Sequence, residues 1–380
     1  MQTMTHRERV RAALDHREPD RVPLDLCSTR DSAIVINACR NFYNYVGVIG
    51  EPKLLDRMMQ VVDVDEEIKK RFDIDFRGVF LGAPDKGGDI ELGEGRYKDE
   101  WGVVRVKPPG SYYYDLEICP LSGEISIHDI IHYPWPDPDD SGRTKGLESA
   151  VNKLYQETDY AIVLNLVAPF VHISQYLRGF EDWFIDCVVG HKTLCALFDA
   201  ILEVNMGICQ NALKNCKGID VVMLADDLGT QNGPMVSPEV FRKIFKSRFK
   251  RIFTLIHDLT SANVLFHTCG AVSMLLGDLI DAGIDILHPV QVSAVGMDTS
   301  VLKKRYGNLI TFWGAIDTQS VLPYGNTEMV KEEVRKRIND LSPGGGYILG
   351  AVHNLQPDVD PKNIITMYDY AREFGRYRFL

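Results

Sequence analysis

The run His267-Thr268-Cys269-Gly270 sets an imidazole and a thiol one residue apart and follows them with glycine. Two such donors can reach a single ion if the backbone turns at Gly270, and zinc accepts both imidazole and thiolate. A catalytic zinc keeps three protein ligands and one open position, which makes His353, far downstream, the candidate third ligand. The plain alternative is a buried thiol beside a hydrogen-bonded histidine that merely finishes a strand. The pair Asp226-Asp227 is a second candidate for chemistry. Adjacent carboxylates raise each other's pKa, which suits acid/base work near neutral pH. Equally, one of them can simply accept backbone N–H bonds from a neighbouring loop. His288, Gln291, Asp317 and Asn354 each stand just beyond a short apolar run and are candidates for substrate contact.

The apolar runs themselves say what would bring these residues together. Eight segments read as strands: Val22–Leu26, Phe76–Leu81, Ala161–Val167, Val221–Ala225, Val264–His267, Ile284–Pro289, Ile310–Trp313 and Tyr347–Ala351. Most lack polar/apolar alternation, as expected of a parallel sheet covered on both faces. Helix signals lie between them. Thr5-His-Arg-Glu8 is a capping box, Ser237-Pro-Glu239 an N-cap with proline in the first turn, and Asp360-Pro361 another start. Strand and helix alternating through eight strands predicts a (β/α)8 TIM barrel. In that fold the residues just after each strand share one catalytic mouth, and the candidates above all occupy such positions. No Gly-x-Gly-x-x-Gly follows a strand, which counts against dinucleotide binding.

One stretch departs from the rhythm. Residues 88–128 are rich in glycine, tyrosine and alternating charge and read as a β-hairpin or meander inserted after the second strand of a single domain spanning 1–380. Its Tyr112-Tyr113-Tyr114, with Trp101 and Trp135, either walls a pocket or packs the insertion onto the barrel.

The 380-residue chain is 45% hydrophobic and 25% charged, with a formal charge of −11. That balance disfavours nucleic acid and anionic membranes as partners, since both need a concentrated basic face. The longest apolar runs, such as Tyr160 to Val171 with Pro169 inside it, are short for a membrane span. The N-terminal residues show no apolar h-region. Eight cysteines without Cys-x-x-Cys spacing suggest free thiols in a reducing compartment, so a cytoplasmic protein is expected. The subunit number is open, with a homodimer among the options.

Several runs resemble uroporphyrinogen decarboxylase-like proteins: Thr5-His-Arg-Glu-Arg-Val-Arg-Ala-Ala-Leu14, Pro19-Asp-Arg-Val-Pro23, Asp226-Asp-Leu-Gly-Thr-Gln231, Phe266-His-Thr-Cys-Gly-Ala271, Asp285-Ile-Leu-His-Pro-Val-Gln291 and Val352-His-Asn-Leu-Gln-Pro-Asp358. The resemblance spans nearly the whole chain and implies the same barrel. True decarboxylases of this kind carry an Arg-Gln-Ala-Gly-Arg run soon after the first strand, whose arginines bind substrate carboxylates. Here the region reads Leu24-Asp-Leu-Cys-Ser-Thr-Arg-Asp31, and Arg30 alone remains as a candidate substrate contact. The chain is more similar to the corrinoid-dependent methyltransferase branch, whose zinc-dependent members use His-x-Cys and a later cysteine. His267 and Cys269 match the first part, and His353 occupies the later position. The resemblance therefore implies zinc on His267, Cys269 and His353, a small methylated substrate, and a corrinoid carried by a separate partner protein. The Asp-x-His-x-x-Gly run typical of corrinoid carriers is absent. A cofactor-free decarboxylase and a non-catalytic binding barrel are the rival readings.

Overall fold

The computed structural model describes residues 3–189 and 191–377. Its centre is a curled, seven-stranded parallel sheet. In chain order the strands are β1 (Phe76–Phe80), β2 (Ala161–Asn165), β3 (Val221–Ala225), β4 (Asn263–His267), β5 (Ile286–His288), β6 (Thr311–Ile316) and β7 (Tyr347–Ala351), and they lie side by side in that same order. Seven of the eight expected strands are present, two of them at their expected limits.

The eighth, Val22–Leu26, is not a strand. It makes a single parallel bridge, Leu24 to Leu349 on β7. Asp25 N–H donates to Leu349 O and Leu349 N–H to Pro23 O, while Asp75 N–H, just before β1, donates to Leu24 O. The segment thus touches both edge strands without forming a ladder. Pro23 has no N–H to contribute, and Cys27 at φ 62 turns the chain away.

Charge anchors what the ladder does not. Asp75, wholly buried, accepts Arg9 Nη1 and Arg21 Nη1 at 2.7 Å each and the Leu24 N–H at 2.7 Å. Asp20 and Asp73 take the remaining guanidinium donors of Arg9 and Arg21. Both arginines are in turn nearly buried. Helix α1 (His6–Leu14), opened by the expected Thr5/Glu8 capping box, brings Arg9 to this network.

Side chains alternating inward from the strands form an inner core of Phe76, Ala161, Val163, Val221, Met223, Leu265, Ile286, Trp313 and Ile348. Val10 and Leu14 of α1 plug it from below. The larger core lies between sheet and outer helices. Among those helices, Lys192–Leu213 is long and apolar enough to cross a membrane by length and composition, contrary to the reading of short apolar runs. Its Leu194, Leu197, Phe198, Ile201 and Leu202 are fully buried, and it packs against Lys246–Leu259.

The insertion is a four-stranded antiparallel meander, Ile90–Gly93, Arg96–Lys98, Val104–Val106 and Asp115–Ile118, leaving after β1 as expected. A second antiparallel sheet was not foreseen. It joins Ile34–Val35, Val61–Asp63 and Lys53–Asp56 and meets the meander where Tyr114 N–H donates to Met58 O and Lys107 Nζ to Gln60 Oε1.

The buried anchor yields a direct test. Asp75→Ala leaves two buried guanidinium groups without their shared carboxylate, and breaking such a pair costs about 3–5 kcal/mol. Urea unfolding of the variant should show that loss, with the fluorescence of buried Trp313 reporting the same transition.

Candidate metal centre and active site

Parallel register decides which side chains meet. Ala225 pairs with His267, and His267 with His288, so the ends of β3, β4 and β5 align. His353 follows β7 by two residues. Ligand atoms from His267, Cys269 and His353 all lie within 4.8 Å of one another. Cys269 Sγ is 3.4 Å from His267 Nε2. Around a tetrahedral zinc with ordinary bond lengths, neighbouring N and S donors stand about 3.3–3.6 Å apart, a spacing that the Cys269–His267 pair already has and to which the set as a whole would contract on an ion.

The turn after His267 is held on every side. Cys269 N–H donates to Asp227 Oδ1 at 2.7 Å, Gly270 N–H to Gln291 Oε1 at 2.7 Å, and Leu228 N–H to Thr268 Oγ1 at 3.0 Å. Gly270 has φ +90, and a Cβ there would stand 2.4 Å from Gly229 C and 2.7 Å from Thr230 O. Only glycine satisfies both the conformation and the contact.

His267 Nδ1 lies 2.7 Å from Nδ1 of His288, which is fully buried. This contact orients the ring and leaves Nε2 facing Cys269 and His353. Burial, then the nearby His267 and His353, hold the His288 pKa well below the ordinary histidine value, so His288 is neutral. Burial pushes the Cys269 thiol well above its usual range, and the carboxylates of Asp227 and Asp31 push it further. The protein by itself therefore does not make a thiolate here. A bound dication would, because a metal deprotonates its thiol ligand.

The two aspartates after β3 take different roles. Asp226 is wholly buried, and its oxygens accept the N–H groups of Phe170, Val171 and His172 at 2.7–2.9 Å. It caps the start of the helix Val171–Arg178, and desolvation raises its pKa against the opposing pull of His172 and those N–H bonds. Asp227 faces the cavity. Burial would raise its pKa, but His172, His267 and the Cys269 N–H outweigh burial and hold it well below the carboxylate range. The structure therefore splits the pair: Asp227 stands at the site and Asp226 behind it.

A cavity of about 840 Å³ opens over this centre. Arg30, Asp227, His267 and His353 line it, as do Tyr113, Tyr114 and Trp101 of the meander. The other candidates lie outside it. Gln291 braces the Gly270 turn and Gln231. Asn354 donates to Arg30 O at 2.7 Å and so fixes the loop beside His353. Asp317 accepts the N–H groups of Gln319 and Ser320 after β6 and is not brought to the centre. Tyr112 is exposed, and Trp135 packs edge-on to Trp101.

Two residues at the site escaped the sequence reading. His172, stacked on Tyr176, lies 3.6 Å from Asp227 and 3.7 Å from Asp226. It follows the end of β2, so the strand-end rule contained the signal. Asp31 lies 3.6 Å from His267 Nε2 and 3.8 Å from His353 Nε2, one residue beyond Arg30.

Gly270→Ala tests the turn. Forcing alanine to this φ and into the Gly229 backbone should cost about 1–3 kcal/mol or more. Denaturant unfolding measures it, and a variant as stable as the parent would contradict the close approach.

A family model described as Uroporphyrinogen decarboxylase (URO-D) matches residues 119–374. The chain is 25% identical over 165 residues to the uroporphyrinogen decarboxylase of Thioalkalivibrio sulfidiphilus, covering 42% of this chain and 43% of that protein. It is 28% identical over 197 residues to the methylcobamide:CoM methyltransferase MtaA of Methanosarcina barkeri, covering 50% and 53%. The chain thus spans about half the length of the curated relatives it matches, or less. In three dimensions it superimposes on a methyltransferase from Methanosarcina mazei with a TM-score of 0.67 at 17% identity, over 98% of this chain and 99% of that one, which shows a shared fold. The match over residues 119–374 covers well over half of the sequence, and the chain belongs to the uroporphyrinogen decarboxylase (URO-D) family.

Proposed function

We propose that this protein is the methyltransferase component of a corrinoid-dependent methyl-transfer (demethylation) system, assisted by zinc. It would act on a small methylated substrate with a corrinoid carried by a separate protein. The observation that carries this reading is the approach of His267, Cys269 and His353 ligand atoms to within 4.8 Å beside a large cavity. The similarity to a methylcobamide:CoM methyltransferase over half the chain supports it.

His267, Cys269 and His353 would hold the metal, which when bound supplies a Lewis acid that stabilises charge on the oxygen or sulfur parting from the methyl group. The rest falls to the chain. Asp227 fixes Cys269 through its N–H, and His288 fixes the His267 ring, the kind of outer contact that tunes a metal ligand. The remaining Asp227 oxygen, beside His172, would orient substrate or take a proton. Asp226 would act only by holding the His172 helix start. Arg30 and Tyr113, which also line the cavity, would meet the substrate. A single thiolate among two imidazoles makes a harder site than one with two thiolates, which favours an ether or hydroxyl oxygen as leaving group. The same reading takes Pro23–Asp25 as the irregular eighth stave of a (β/α)8 barrel. It also takes the chain as one domain with a β-rich insertion, working in the cytoplasm.

Decarboxylation is the second reading, favoured by the name of the Thioalkalivibrio relative. The cavity argues against it. Its four lining arginines already face carboxylates: Arg30 Asp56, Arg57 Glu91, Arg105 Asp99, and Arg143 Glu100. A substrate with many carboxylates needs free guanidinium forks.

Metal analysis of the purified protein should find about one zinc per chain, and His353→Ala should weaken binding at least about tenfold. Less than about a tenth equivalent of zinc, with methyl transfer unchanged after chelation, rejects the zinc mechanism. Incubation with uroporphyrinogen should leave it intact, whereas clean conversion to coproporphyrinogen would establish the decarboxylase.

A further inference from the structure

The charge lining a cavity decides which molecules it draws in, and the cavity over this centre is negative. Seven carboxylates line it against four arginines and no lysine. The arginines are committed. Arg30, Arg105 and Arg143 face the lining acids Asp56, Asp99 and Glu100, while Arg57 binds Glu91 at 2.6 Å and stands 3.5 Å from Asp89. Asp227 accepts the Cys269 N–H beside His172, and Asp115 is exposed. That leaves Asp31. It lines the cavity at only 6% exposure, and no hydrogen bond from any described residue reaches its oxygens. No arginine or lysine among the described residues pairs with it. Its nearest polar neighbours, His267 Nε2 at 3.6 Å and His353 Nε2 at 3.8 Å, stand beyond hydrogen-bond reach. Burying a charged carboxylate unpaired is costly.

The wall beside Asp31 suits a cation as well. Its aromatic rings already receive positive charge: the Arg57 guanidinium lies 3.9 Å from the centre of the Tyr97 ring, and that of Arg105 4.4 Å from Tyr176. Tyr113 also lines the cavity, and no cation among the described residues covers its face. It stands close enough to Asp31 to feel its charge. Burial raises the Tyr113 pKa, the Gln356 bond opposes this, and the Asp31 carboxylate adds to the rise. A carboxylate beside an aromatic face is an arrangement that holds an ammonium group. The proposed metal does not cancel the deficit. A zinc dication with the Cys269 thiolate carries one net positive charge, and Asp31 with Asp227 brings two negative ones.

We propose that the cavity selects a substrate bearing a permanent positive charge, a methylated compound whose ammonium group sits between Asp31 and Tyr113. The inference rests on the proposed methyl-transfer reading and specifies its substrate. An anionic substrate meets a surplus of carboxylates with every lining guanidinium committed elsewhere, and a neutral one leaves Asp31 unpaired.

The test is binding, read without turnover. The purified protein, with zinc present, is titrated by ligand-observed NMR with three probes: methoxyethyl-trimethylammonium, its isostere with carbon in place of the quaternary nitrogen, and methoxyacetate. The cation should bind at least about tenfold more tightly than the neutral isostere, with methoxyacetate weakest. In Asp31→Asn the gap between cation and isostere should shrink to about threefold or less, the part left to the rings. A cation that binds no better than its isostere, or a gap unchanged in Asp31→Asn, overturns the proposal. Should the variant fold poorly, crystals of the parent with methoxyethyl-trimethylammonium decide. A quaternary nitrogen within about 4–6 Å of an Asp31 oxygen supports the proposal, and one seated elsewhere overturns it. A protein that demethylates neutral ethers without preferring the cation removes this inference alone. One that prefers the cation yet transfers no methyl group removes the methyl-transfer reading and leaves the charge selection standing.

Discussion

The curl of the parallel sheet is the constraint from which the site follows. β4 and β7 have β5 and β6 between them, so across a flat sheet they would stand about 14 Å apart, three strand spacings. Yet His267 at the end of β4 and His353 just past β7 place ligand atoms within 4.8 Å of each other and of Cys269. Only a sheet bent around its inner core brings both strands' ends to one point. That core is continuous from Phe76 on β1 to Ile348 on β7, and Trp313 between them bonds the buried Asp25 side chain at 3.0 Å. Packing inside the curl and chemistry at its rim are the same requirement seen at two heights.

The two ends of the sheet are stabilised differently. Beneath the strands, Arg9 and Arg21 share the Asp75 carboxylate and give their other donors to Asp20, Asp73 and backbone carbonyls, an arrangement suited to stability. Above them, carboxylates, imidazoles and a thiol crowd together with no lysine and with arginines committed elsewhere. The Cys269 thiol held high and the Asp227 carboxyl held low show how unevenly that crowd shares its charge. Under the proposed function this cluster receives a cation, and the neutral His288 behind it adds no competing positive charge.

Much of this was legible in the sequence because parallel strands leave a plain signature. Val221–Ala225 and Tyr347–Ala351 are apolar runs with abrupt polar ends, and they fold within those limits. His267, Cys269, His353 and Asp227 followed from looking just past such ends. Val22–Leu26 looks equally apolar, but Pro23 withholds an N–H and its contacts are made by backbone atoms of other elements, which composition does not reveal. Asp226 and Asp227 are indistinguishable as letters, and their separation depends on which side of the β3 end the helix at Val171 lies. Asp31 sits in a Ser/Thr-rich loop that reads as ordinary connection. Its place near His353 depends on the bond between Asn354 and Arg30, partners 324 residues apart. The small sheet through Lys53–Asp56 and Val61–Asp63 was missed because its strands are short and partly charged.

Tyr113 ties the meander to the rim in a way that bears on access. Gln356, three residues beyond His353, donates its amide N–H to the Tyr113 hydroxyl, so the aromatic wall is latched to the very turn that presents the imidazole. Swinging that wall outward would forfeit the latch, about 1 kcal/mol for such a bond, and would tug on the neighbouring donor. The half-exposed ring of Phe180 also borders the opening, and the helices on either side of it are fastened to the chain just past the meander by Leu121 N–H to Leu177 O and Gly123 N–H to Asp182 Oδ2, so the wall is held at both ends.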